Sequence, residues 1–231
     1  MSERPPLPTA VLAAAGLNRQ HVFDLAALPD DIVSRLELEP GERQLILVGH
    51  GGRRLWECVQ AAQLPGPDPI DDYTVATLQR WFAAHAPNQR YRILYPGDSP
   101  IGLQALGQLA GWHSPSPFMV GVDPEWGSWY AYRAVVVADT DFCPSEAVHR
   151  SSPCSSCPNS PCIAACPAKA LAGGQFNLET CSRYRLRPES ACAHGCLARQ
   201  ACPIGAEHRY DEAQIHHSYS RSLAVLHRYY R

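Results

Sequence analysis

No apolar run in this chain approaches the roughly 18–20 residues of a membrane-spanning helix, so no membrane partner is expected. The formal net charge is only −2, which supplies no overall field for nucleic acid or an anionic surface. The start, Met1-Ser-Glu-Arg-Pro-Pro, lacks a basic segment followed by an apolar one and does not read as an export signal. The expected location is therefore cytoplasmic. Thiols stay reduced there, which argues against a disulfide framework. Large apolar residues are scarce between Pro144 and Pro203, a stretch rich in Cys, Pro, Ser and Gly. It cannot bury a core unaided, and a bound metal is expected to supply its cohesion.

The remainder is ordinary for a globular chain. Apolar residues make up 45% of the 231 positions, enough for one sizeable domain or two small ones. A Pro-rich arm and a short helix are expected over residues 1–20, then a strand over His21–Leu25. The continuous apolar run Gln44–Gly49 reads as a buried strand. Leu55–Ala62 reads as a helix, closed by the breaker Leu64-Pro65-Gly66-Pro67. Asp71 and Asp72 suit the first turn of a second helix, and Tyr73, Ala76, Thr77, Trp81 and Ala84 follow helical spacing up to Pro87. Tyr91–Tyr95 is expected as a strand, and Ile101–Ala110 as a helix stopped by Gly111. Phe118–Val122 and Trp129–Ala138 are expected as two further strands, the latter central because it ends in Val135-Val136-Val137. A C-terminal helix from Tyr210 places Ile215, Tyr219, Leu223 and Leu226 on one face.

Cysteine carries the chemistry. Ten are present, and eight lie between Cys154 and Cys202. They read Cys154-x2-Cys157-x4-Cys162-x3-Cys166-Pro167, then Cys181, then Cys192-x3-Cys196-x5-Cys202-Pro203. Two-cluster ferredoxins carry a C-x2-C-x2-C-x3-C-P run whose fourth cysteine ligates the other cluster. On that logic Cys154, Cys157, Cys162 and Cys202 hold one 4Fe–4S cluster, and Cys166, Cys181, Cys192 and Cys196 hold another. The gaps here are longer than the template, which leaves the partition open. Two zinc sites of four cysteines each are the alternative. They fit less well, because only Cys154 and Cys157 form a C-x2-C knuckle and two Cys-Pro steps follow the ferredoxin habit. Cys58 reads as buried and inert, and Cys143 has no evident role.

Further motifs stand outside the cysteines. Gly97-Asp98-Ser99-Pro100, Ala110-Gly111-Trp112 and Asp123-Pro124-Glu125-Trp126-Gly127-Ser128-Trp129 precede them in order. Together with the four-plus-one-plus-three cysteine order they resemble the epoxyqueuosine reductase family, which has a DS-x-P segment, an AG-x-GW segment and a PE-F/Y-GSW turn. Trp126–Val136, Asp68-Pro69-Ile70-Asp71 and Glu207–Leu226 are also similar to segments of the CblC-type cobalamin-processing proteins. The resemblances imply an α+β, nitroreductase-like sheet flanked by helices, with a ferredoxin-type two-cluster insert. The implied division is 1–142 for a cobalamin-binding core, 143–209 for the iron–sulfur module and 210–231 for a helix returning to the core.

They also imply an iron–sulfur oxidoreductase that binds and reduces cobalamin. Such an enzyme would process cobalamin, as by removal of its upper ligand, or use it to reduce a small substrate. A flavodoxin, ferredoxin or reductase of low potential would supply the electrons. Asp98 matches the family's catalytic acid, although its segment is one residue short and the family's following Glu is Leu103 here. Trp112, His113, Trp126, Trp129, Tyr130 and Arg133 are the candidates to line a corrin pocket. The other readings are a short epoxyqueuosine reductase acting on tRNA, a ferredoxin without organic cofactor, and an FMN-dependent reductase. A nucleic-acid partner is not expected, since no basic excess is present to grip a phosphate backbone.

Overall fold

Two compact units make up the chain in this computed structural model, which describes residues 4–148 and 150–230. Residues 1–3 of the expected arm lie outside that range. The first unit comprises Met1–Gly111 and Tyr130–Val148, the second Trp112–Trp129 and His149–Arg231.

The first unit is built on one antiparallel sheet of β1 (Arg19–Asp24), β2 (Gln44–Gly51), β3 (Tyr91–Tyr95) and β4 (Tyr130–Ala138), in the order β1-β2-β4-β3. All eight residues of β2 are buried, which is why its sequence is continuous rather than alternating. β4 is central, with Val136 opposite Ile46 on one side and Ile93 on the other. The mixed helices and antiparallel sheet agree with an α+β class.

The helices α1 (Ala10–Ala14), α2 (Asp30–Val33), α3 (Arg54–Ala62), α4 (Pro69–His85) and α5 (Leu103–Leu109) complete the unit. Pro69 opens α4, with Asp71 and Asp72 in its first turn, as the dipole favours. Leu78, Trp81 and Phe82 of α4 and Leu55 and Val59 of α3 join Val22, Ile46, Val48 and Val136 in one apolar core. Gln44 fixes the entry to β2: its amide donates to Phe142 O at 2.7 Å and accepts from Thr140 Oγ1 and Phe142 N at 2.9 Å. A buried amide satisfied in this way ties β2 to the chain leaving β4.

His21, 4% exposed, faces the interior from β1. Burial lowers its pKa from 6.5 to about 4. Between those values the unfolded chain binds the proton and the folded chain does not, so stability falls as pH falls through that window. The loss is at most about 3 kcal/mol. Urea midpoints are expected to drop between pH 7 and pH 4.5. In His21→Leu this part of the profile is expected to flatten, and an unchanged slope there would assign the effect to another group.

The second unit contains α6 (Pro161–Ala164), α7 (Leu178–Arg185), α8 (Leu197–Gln200) and α9 (Glu212–Tyr229), joined by turns. Asn177 caps α7 by accepting from Thr180 N at 2.8 Å, and Asp211 caps α9 through Gln214 N at 2.7 Å. The expected strand Phe118–Val122 does not form. Pro115 and Pro117 remove backbone donors, Met119 is left-handed at φ 69°, and only the bridge between Ser114 and Val122 is made. Phe118 and Val122 instead join Leu171 and Ala198 in a small apolar cluster that includes Cys162 and Cys202.

Candidate metal centre

The eight cysteines of the Pro144–Pro203 stretch all lie in the second unit, on turns and short helices. Cys154 lies in a one-turn segment after Ser152, whose hydroxyl accepts from Cys154 N at 3.3 Å. Cys162 is in α6, Cys181 in α7, and Cys196 caps α8. Burial raises the pKa of Cys154, and the neighbouring thiols Cys202, Cys162 and Cys157 raise it further. Burial likewise pushes Cys181 up to about 11, with Cys196, Cys166 and Cys192 adding to the shift and Arg185 opposing it. The thiols thus influence one another within two groups of four.

Both groups pack against the Phe118–Leu171–Ala198 cluster. Beside Cys166, Cys181, Cys192 and Cys196 lies a cavity of about 190 Å³ with Leu171 and Phe176 in its walls. Liquid water occupies about 30 Å³ per molecule, so the space suits a group of several heavy atoms. Among the described residues no three His, Cys, Asp or Glu side chains stand close enough to clasp a single ion. A cubane sets its thiolates farther apart than one ion does. Donor type, number and cavity fit an iron–sulfur cluster at the second group, and donor type and number fit one at the first.

Three arginines that spacing alone does not flag frame these groups. Arg185, at the end of α7, donates to Cys192 O at 3.1 Å, Ala193 O at 3.3 Å, Tyr219 O at 2.9 Å and Ser222 Oγ at 2.9 Å. It fastens the Cys192 loop to α7 and α9. Arg199, in α8, lies over the rings of Trp129 at 4.6 Å and Tyr210 at 5.1 Å. It donates to Ser128 Oγ at 3.3 Å and to Ser128 O. Arg209 donates to Gln200 O at 2.7 Å.

The Asp123–Gly127 turn is held by Asp123 Oδ1, which accepts from Glu125 N at 2.9 Å and Trp126 N at 3.0 Å. Its Gly127 meets Gly205, just past Cys202-Pro203, backbone to backbone. A Cβ on Gly127 would lie 1.9 Å from Ile204 O, and one on Gly205 would lie 2.4 Å from Gly127 N. Both glycines are left-handed, at φ 58° and 62°. The turn is thereby pinned against the last cysteine of the first group.

The remaining candidates divide between the units. In the second, Trp112 is buried and His113 is half-buried with its pKa lowered by burial. Trp126 lies 4.3 Å from the ring of His208. Trp129 is fully buried against Arg199 and Tyr210, so its surroundings are those of a packed core. In the first unit, Tyr130 lies under Arg19 at 4.9 Å. Arg133 Nε donates to the buried His50 Nδ1 at 3.0 Å. Asp98 is exposed in the turn before α5. Cys58 proves half-buried rather than buried, because it lies at the edge of the α3 face that buries Leu55, Trp56 and Val59, with its Sγ 3.7 Å from Ala14 O. Cys143 is exposed.

No family model matches the chain, and a search of curated proteins found no match. Solved structures do. One is an epoxyqueuosine reductase with an epoxyqueuosine-modified tRNA stem loop, 15% identical at TM-score 0.54, covering 88% of this chain and 66% of that one. The epoxyqueuosine reductase of Bacillus subtilis is 14% identical at TM-score 0.54, covering 87% and 66%. A reductive dehalogenase described for B12-dependent dehalogenation is 13% identical at TM-score 0.54, covering 98% and 37%. The chain thus spans just under two thirds of those reductases and little more than a third of the dehalogenase. At such identity the likeness is one of fold. It bears on the epoxyqueuosine reductase-like resemblance, while the CblC-type resemblance rests on the sequence segments. The expectation against a nucleic-acid partner gains no support, since one neighbour was solved with tRNA. No helix among the described residues is long and apolar enough to cross a membrane.

Proposed function

We propose that this chain is an iron–sulfur oxidoreductase that binds and reduces cobalamin, with cytoplasmic electron carriers as its donors. The observation that carries the reading is that all eight cysteines lie in one small unit, four of them, Cys166, Cys181, Cys192 and Cys196, around one apolar cavity. Cys154, Cys157, Cys162 and Cys202 would hold one 4Fe–4S cluster, and Cys166, Cys181, Cys192 and Cys196 the other. Bound there, the clusters supply one-electron transfer at low potential. The protein's part is to keep the second group in an apolar, water-poor cavity and to hold its loop rigid through Arg185. The nitroreductase-like reading of the first unit, and a ferredoxin-like reading of the second, are supported by the fold shared with an epoxyqueuosine reductase and with a reductive dehalogenase described for B12-dependent dehalogenation.

Arg133 presents a cation whose Nε is already fixed by His50, which suits an amide or carboxylate on the corrin rim. Tyr130, three residues before Arg133 in β4, supplies aromatic surface for the same ligand. Asp98, exposed before α5, is the proposed proton donor. Titration of the anaerobically reconstituted protein with hydroxocobalamin is expected to change the cobalamin spectrum, whereas FMN should produce no saturable change. Arg133→Ala is expected to weaken cobalamin binding about tenfold, the worth of one charge-assisted contact. A cobalamin spectrum unaltered by the wild-type protein would sink this reading.

The likeness to a reductase solved with a tRNA stem loop favours a second reading, epoxyqueuosine reduction in tRNA. Incubation with epoxyqueuosine-containing tRNA and a reductant separates the two. Queuosine formation supports the second, and its absence in a cobalamin-binding protein leaves the first.

A further inference from the structure

Arg185 and Arg199 are each 8% exposed. Among the described residues neither has a carboxylate at ion-pair distance. Their acceptors are backbone carbonyls, serine hydroxyls and, for Arg199, also the Tyr219 hydroxyl. Neutral acceptors disperse a guanidinium charge without cancelling it, and a buried charge left unpaired is strongly destabilising. The imbalance extends to the whole unit. Residues 112–129 and 149–231 carry ten Lys and Arg against seven Asp and Glu, while the rest of the chain carries ten against fifteen.

Both arginines adjoin one group of cysteines. Arg185 binds the carbonyl of Cys192 and follows Cys181 by one helical turn. Arg199 stands three residues after Cys196, with its own N–H on Cys196 Sγ at 3.4 Å. Four thiolates outweigh the positive charge of an iron–sulfur core, so such a cluster is an anion, and net charge helps to set its potential. The first group has a weaker counterpart. Arg209 is half-buried, and its charge acts on Cys202. Its Nε is buried without a hydrogen-bond partner.

We propose that Arg185 and Arg199 are the fixed counter-charges of the cluster held by Cys166, Cys181, Cys192 and Cys196, and that they make it the easier of the two to reduce. This rests on the iron–sulfur reading above. Reduction adds one electron to an already anionic group, and two buried cations favour that added charge more than one half-exposed cation does. The second group therefore sits at the higher potential, which gives the pair a direction.

The test is a redox titration of the anaerobically reconstituted full-length protein, followed by electron paramagnetic resonance. Cys181→Ser identifies the second group's signal by its loss. In the wild type that signal is expected to be the first to appear on reduction. Arg185→Gln is expected to make the second group at least tenfold harder to reduce, 59 mV for a one-electron couple, with the first group unmoved. Arg185→Lys, which keeps the charge, is expected to recover most of the shift. A fully iron-loaded Arg185→Gln with both midpoints unchanged overturns the proposal. If Arg185→Gln loses the second cluster, Arg185→Lys is expected to keep it, and a lysine variant that also loses it overturns the charge argument in favour of the hydrogen bonds. A wild-type protein without iron defeats the underlying reading, whereas an iron-loaded wild type with unresponsive potentials defeats this inference alone.

Discussion

Cys181→Ser is expected to halve the iron of the anaerobically purified protein, from about eight to about four per chain, since each cubane holds four irons on four thiolates. Cys181 is the isolated member of the cysteine order, reaching its group from α7 rather than from a shared loop. Its thiol is surrounded by Cys196, Cys166 and Cys192. A serine oxygen is a harder and poorer ligand for iron than a thiolate. Cys58 and Cys143 lie in the first unit, one half-buried and one exposed. Serine at either is expected to leave the iron count and visible spectrum unchanged. Iron and acid-labile sulfide analysis of the three variants checks this. Zinc in place of iron, or full iron retained in Cys181→Ser, would refute the two-cluster assignment.

Gly127→Ala is expected to unfold the second unit or to destabilise it by about 3–5 kcal/mol, as overpacking against rigid backbone adds to the left-handed penalty. The new methyl would fall on Ile204 O, an atom of the main chain that cannot rotate away. Gly205→Ala makes the reciprocal clash with Gly127 N and is expected to cost a similar amount. Gly174 offers the control. It is also left-handed, at φ 72°, but nothing lies within 4 Å of an added Cβ, so Gly174→Ala should show only the conformational part, about 1–2 kcal/mol. Thermal unfolding and iron content of the three variants report the difference. Equal losses at Gly127 and Gly174 would show that conformation, not close approach, governs the turn.

Much of the first unit was legible in the chain because its elements carry their own signals. Gln44–Gly49 is apolar without a break, and β2 is buried along its full length. Asp71 and Asp72 mark the first turn of α4, and Gly111 stops α5 at φ 73°. Tyr91–Tyr95 is a strand as read. The failure at Phe118–Val122 is instructive. Apolar residues there serve a core, but flanking prolines and a left-handed Met119 deny them a ladder. Hydrophobicity alone does not separate a strand from a loop that points inward. The arginines were invisible for a different reason. Nothing in Arg185 or Arg199 as letters distinguishes a buried cation from the exposed Arg183 two residues away, paired with Glu179 at 2.7 Å. Only the fold shows that, among the described residues, neither has a carboxylate at ion-pair distance. The cysteine groups lie between these cases: their spacing is local, but the joining of Cys202 to Cys154 is a property of the folded unit.

The chain passes from one unit to the other three times, at 111–112, 129–130 and 148–149. No single proteolytic nick or stop codon can therefore release either unit whole. A fragment beginning at residue 150 retains every cysteine of the two groups yet lacks Phe118, Val122 and the Gly127 turn around which they pack. During synthesis, β3 leaves the ribosome with no sheet neighbour until β4 follows some 35 residues later. Both units thus reach completion late, the sheet awaiting its central strand and the cysteine-bearing unit awaiting α9. On the iron–sulfur reading, iron is best delivered once α9 has been made.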